Sequence, residues 1–168
     1  MKLSKRMLGI GSAMAVAGAV ALTGITGAAA SGSQPGYIHV TIMGTDPANN
    51  ATRSIIFTGS ITAGGVDHSG NHADNVVFPD GTLTIIHSKG TGTPRFNRRT
   101  CLGQIAENGT YTLGGGTGAY QGVTGHGIYR VNITLVGART STGQCAGNNA
   151  PPVAFQFLVR AQGPVSGT

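Results

Sequence analysis

Residues 114–127 read GGGTGAYQGVTGHG, and seven of these fourteen residues are glycine. Glycine at that density rules out an ordinary helix, because each one loses more backbone entropy on folding than alanine would. It suits a chain that must bend sharply or approach another backbone closely before entering a strand. Tyr120 and Val123 are the only large apolar anchors in the stretch. The next segment, to Val136, alternates: Tyr129, Val131, Ile133 and Leu135 share one face, and Arg130, Asn132 and Thr134 the other. A glycine-rich bend feeding a long alternating strand is a barrel-corner arrangement.

The same wording resembles the G-G-T-G-x-[YF]-x-G-x-x-G turn of the dirigent and allene oxide cyclase-like β-barrel family. Gly115, Gly116, Thr117, Gly118, Tyr120, Gly122 and Gly125 carry the match. The resemblance implies a small antiparallel barrel of about eight strands around a mainly apolar cavity. Plant dirigent proteins steer a coupling reaction without oxidising anything themselves, and allene oxide cyclases close a ring on a reactive epoxide. No catalytic residue of the family maps onto a position here, so the resemblance assigns none. The competing phosphate-loop reading fails on context, since a dinucleotide fingerprint must open a helix and a strand pattern follows instead. No Lys-Ser or Lys-Thr follows the glycines to make a Walker loop. No cofactor is expected.

The first 30 residues read as a secretion signal rather than as part of the fold. Lys2, Lys5 and Arg6 precede a small-residue apolar run over 7–22, and Ala28-Ala29-Ala30 offers a cleavage site. The run is short and alanine-rich for a membrane span, which needs about 20 predominantly apolar residues. Residues 31–168 are then one exported domain without a stable membrane anchor. The full chain carries +6, and losing three of its eleven basic residues with the signal leaves +3. Only Arg95, Arg98 and Arg99 cluster, too few for a nucleic-acid footprint, and PRFNRR reads as a solvated basic loop.

Abundant glycine and the absence of tryptophan and of any long helical period point to short strands joined by tight turns. Strands are expected at 37–42, 53–62, 75–78, 82–88, 100–107, 110–113, 126–138 and 153–161. Pro79-Asp80-Gly81 and Asn108-Gly109 read as hairpin turns, and 90–99 as a loop. Cys101 and Cys145, an even pair in an exported chain, are expected to form a disulfide.

The chemically richest stretch is 67–74, DHSGNHAD. Asp67, His68, His72 and Asp74 are of acid/base type, and the two histidines are metal-ligand candidates. Glycines 64, 65 and 70 make this segment a loop, in which spacing alone does not bring the four together. His87 shares a strand face with Leu83 and Ile85, and with Tyr129, Arg130 and Asn132 it completes the set of pocket candidates. The favoured reading is a secreted barrel that holds or steers a small apolar molecule, with Ile55, Phe57, Leu83, Ile85, Tyr129 and Phe157 on its lining and no close charged pairs. The alternative is an isomerase or cyclase working through the 67–74 segment, with those side chains converging on a pocket. A structural barrel filled by its own side chains is the third.

Overall fold

The computed structural model describes residues 35–48, 51–147 and 150–167; the expected signal segment lies outside them. Nine strands follow in chain order: β1 Gly36–Gly44, β2 Thr52–Gly59, β3 Ala63–His68, β4 Ala73–Phe78, β5 Gly81–His87, β6 Thr91–Asn97, β7 Leu102–Gly114, β8 Thr124–Val136 and β9 Ala154–Ser166. Every pairing between them is antiparallel. The sheet runs β5-β4-β3-β2-β1-β9-β8-β7-β6, and a further β5–β7 pairing closes eight of the strands into a barrel. Closure rests on β7 being long enough to serve two partners. Residues 111–114 pair with β5, while 102–108 pair with β6, which lies outside the barrel.

Alternation decides what fills the interior. On β1, Ile38, Val40 and Ile42 point inward, and on β2 Arg53, Ile55 and Phe57 do so. At the end of the barrel nearest the glycine corner these side chains close the space. Phe57 meets Phe78 edge to face at 5.3 Å between ring centroids, and Phe78 meets Tyr120 at a tilt at 4.8 Å. Ile38, Leu83, Leu113, Val123 and Val165 are buried around them. Each fully buried side chain of this kind contributes about 1.5–3 kcal/mol.

The glycine-rich stretch is the plug of that end. After β7 the chain makes a single 3-10 turn, Gly118–Tyr120, before entering β8. Gly118 sits at φ 58°, and a Cβ there would collide with the Asp80 carbonyl oxygen, so only glycine fits. The amides of Thr117 and Ala119 donate to the carbonyls of Thr82 and Asp80 at 3.0 and 2.9 Å, tying the plug to the β4–β5 turn. Tyr120 and Val123 are thereby swung under the core.

The structure corrects the sequence reading in three places. The 67–74 segment is a hairpin: Asp67 and His68 end β3, Ala73 and Asp74 begin β4, and only 69–72 turn. The 90–99 loop contains a strand, β6, with all seven residues exposed. Asn108-Gly109 is not a turn, because β7 runs straight through it with Asn108 opposite Arg130 and Gly109 opposite Tyr129. The physical reason is Tyr129, whose ring lies against Gly109 so closely that a Cβ would meet Tyr129 Cζ at 2.5 Å. Cys101 and Cys145 are joined by a disulfide that anchors the long β8–β9 connection to the start of β7.

Candidate functional site

The end of the barrel opposite the plug is not filled. A cavity of about 580 Å³ opens there between the β3–β4 turn, the β5–β6 connection and the walls of β7, β8 and β9. Its apolar surface comes from inward positions such as Val40, Ile42, Ile85, Val131, Ile133 and Phe157. Around this surface stands a belt of polar side chains drawn from six strands: Arg53, Asp67, Asp74, His87, Glu107, Tyr111 and Tyr129. Because strand side chains alternate, all seven had to be in phase with apolar core residues to reach the interior.

Arg53 and Asp67 are directly opposite on β2 and β3 and are 7 % and 1 % exposed. The Arg53 guanidinium crosses above Gly44 to lie 4.2 Å from the centre of the Phe157 ring, a cation–π contact. A Cβ on Gly44 would meet Arg53 Cγ at 2.9 Å, so the missing side chain makes the crossing possible. Arg53 Nη1 donates to Ser69 Oγ, and Nη2 to the Ala48 carbonyl at 3.2 Å. Ser69 Oγ in turn donates to Asp67 Oδ2 at 2.7 Å. The arginine therefore touches the carboxylate through a serine rather than as a direct ion pair.

Burial pushes the Asp67 carboxyl up to about 6. The neighbouring Asp74 charge adds to the rise, while the Ser69 hydrogen bond and the Arg53 charge oppose it. Across the mouth, His87 Nε2 lies 3.4 Å from Asp74 Oδ1, which also accepts the Gly70 amide at 2.9 Å. The Asp74 carboxylate holds the His87 imidazole above its ordinary value against the opposing effect of burial. Tyr129 donates to the Ser88 carbonyl at 2.7 Å, fixing its ring edge-on to His87. Burial pushes the Tyr111 hydroxyl up to about 12, so it remains a proton-bearing group at any ordinary pH.

Three buried side-chain polar atoms among the described residues have no hydrogen-bond partner: Arg53 Nε, Asp67 Oδ1 and Tyr111 Oη. All three belong to residues that line this cavity. An unsatisfied buried polar group costs about 1–3 kcal/mol. One donor, one carboxylate oxygen and one hydroxyl are thus left unpaired on three side chains that share a single cavity lining.

Of the residues singled out from sequence, Asp67, Asp74, His87 and Tyr129 line the cavity, and His72 stands at its mouth. His68 is exposed on the outer face of β3, so the two histidines are not brought together. Among the described residues no group of three or more metal-ligand side chains converges. Arg130 and Asn132 face away from the cavity, on the outer surface of β8. Of the expected lining, Ile85, Tyr129 and Phe157 face the cavity, whereas Ile55, Phe57 and Leu83 are core. The expectation of a lining without close charged pairs fails at Asp74 and His87, which stand 3.4 Å apart.

Sequence reasoning missed Arg53, Ser69, Glu107 and Tyr111. A signal for Arg53 exists: it is in phase with Ile55 and Phe57 on a strand whose other face is exposed. Tyr111 is likewise in phase with Leu113 on the expected strand 110–113, but the turn placed at 108–109 cuts that strand off from Glu107, which shares its phase in the continuous β7. No family model, curated protein or solved structure matches the chain.

Proposed function

We propose that this chain is a secreted barrel of the dirigent and allene oxide cyclase-like type that holds a small, largely apolar molecule with a polar end in the open half of its interior. The observation that carries the reading is one cavity whose apolar wall is ringed by polar side chains, three of which, Arg53, Asp67 and Tyr111, each keep a buried polar atom without a partner. A ligand bearing a hydroxyl or carbonyl places that polar end against the belt that includes Arg53, Asp67, His87 and Tyr111, while its body covers Ile42, Ile85 and Val131. The glycine corner at 115–125, the eight-stranded antiparallel closure and the apolar cavity support the family assignment. The disulfide and the basic–apolar N-terminus support export.

A second reading is favoured by Asp67 itself. A buried carboxyl with a value near 6 and one unpaired oxygen, on a residue of the cavity lining, is suited to taking and returning a proton near neutral pH. It makes the same cavity the site of an isomerase or cyclase, in which the barrel both shapes the substrate and moves a proton on it.

Native mass spectrometry of the protein exported by its own source tests the holding function. The expected result is a stoichiometric organic adduct that is lost when Ile85→Trp fills the cavity and retained when the exposed Ile86 is changed to Trp. An adduct indifferent to Ile85→Trp, or none on protein saturated with an extract of the source, would refute it. Proton exchange into the bound molecule from deuterated solvent, abolished in Asp67→Asn, marks the second reading.

A further inference from the structure

Three arginines that the cavity does not use, Arg95, Arg130 and Arg160, share the outer face of the sheet formed by β6, β7, β8 and β9. Arg130 and Arg160 are directly opposite each other on β8 and β9, and both are exposed. Two like charges in cross-strand register are destabilising rather than neutral. Asn108 continues the row on β7, and two pleats along, Arg95 on β6 faces Gln104 and then Thr134. A groove of about 500 Å³ runs between Arg95 and Arg130, floored by Gln104, Asn108 and Asn132. No carboxylate compensates this charge. After the signal the chain has only Asp46, Asp67, Asp74, Asp80 and Glu107. Three of these line the cavity, Asp80 lies in the β4–β5 turn and Asp46 in the β1–β2 connection. Among the described residues none of the three arginines makes an ion pair.

We propose that this groove binds an acidic polysaccharide. The three charges together are too widely set for one small anion: Arg130 and Arg160 are neighbours, but Arg95 stands four residues along the strands and two strands away from Arg130, ~16 Å at ordinary sheet spacings. A chain with repeated anionic groups spans that distance, with carboxylates taken by the guanidinium forks. The floor decides what kind of chain it is. Side-chain amides donate and accept, as sugar hydroxyls require, and the groove presents no aromatic ring on which a nucleic-acid base would stack. The site is separate from the cavity, so the barrel attaches to an anionic glycan by its outer wall while the interior stays open.

The test is isothermal titration at low salt of the full exported chain with a short oligogalacturonate, dextran of equal length, phosphatidylglycerol vesicles and single-stranded DNA. Expected is saturable binding of the oligogalacturonate alone, weakened about tenfold by Arg130→Gln with Arg160→Gln and again by Arg95→Gln, with affinity falling as salt rises. Tyr111→Phe and Ile85→Trp leave it unchanged, which separates this site from the cavity. No binding, equal binding of dextran, tighter binding of vesicles or DNA, or indifference to all three arginine substitutions would each overturn the proposal.

Discussion

The buried carboxyl at Asp67 makes the stability of this barrel depend on pH in an unusual direction. An ordinary paired aspartate stabilises a fold above its unfolded value, but Asp67 is raised, from 3.8 to about 6. Between those two values the unfolded chain has released its proton and the folded chain has kept it. Stability from this residue is therefore fully present below pH 3.8 and is lost as pH rises through 6. At 1.36 kcal/mol per pH unit the loss amounts to about 3 kcal/mol by pH 8. The Asp67→Asn variant keeps the shape of the side chain and its contact with Ser69 but has no proton to lose. Urea unfolding of the disulfide-intact protein at pH 4, 5, 6 and 8 measures the difference directly. The parent should lose stability from pH 4 to pH 6 while Asp67→Asn stays flat over that window, so that the variant is the more stable protein at pH 8. A parent curve parallel to that of the variant would refute the claim that burial governs Asp67.

The remaining predictions concern the neighbours and the frame. His87 is also raised, by Asp74, so its contribution is complete below 6.5 and is lost as pH climbs through its folded value; His87→Gln should remove a decline that begins above the Asp67 window. Tyr111→Phe deletes an unpaired buried hydroxyl and should raise the stability of the ligand-free barrel by about 1 kcal/mol, read as a higher urea midpoint, while weakening retention of a bound molecule. Reducing the Cys101–Cys145 bridge, which spans a sequence separation of 44, should cost about 4 kcal/mol, seen as a lower midpoint in reductant. Gly109→Ala places a methyl group against the Tyr129 ring and should cost about 1–3 kcal/mol by thermal unfolding, with loss of the tyrosine contact to Ser88.

What was legible from sequence follows the strength of the local signal. The all-β barrel was readable because β8 alternates cleanly and the glycine run can only be a corner. The inward placement of His87 was readable for the same reason, since it shares a phase with Leu83 and Ile85. Strand β6 was not, because it is exposed on both faces and carries a proline; β7 alone makes it a strand, by pairing. The run through Asn108-Gly109 was hidden because a glycine needed for ring packing looks, in one dimension, the same as a glycine needed for a turn. Asp67 and Asp74 were visible as chemistry but not as geometry, since only the β3–β4 hairpin directs both inward. Arg53 was hidden by its charge, which in a strand is ordinarily assigned to solvent. Its burial depends on a glycine across the strand, an aromatic ring beyond it and a serine in the next turn.

The central claim is that one half of this barrel is packed and the other is a polar-anchored binding cavity. Methyl NMR of the protein titrated with 2-naphthol, an apolar body bearing one hydroxyl, tests it most directly. The account predicts saturable shifts at Ile42, Ile85, Val131 and Ile133, with Ile38, Leu113, Val123 and Val165 unmoved. Shifts spread over both sets, or none at the four cavity positions, would contradict it.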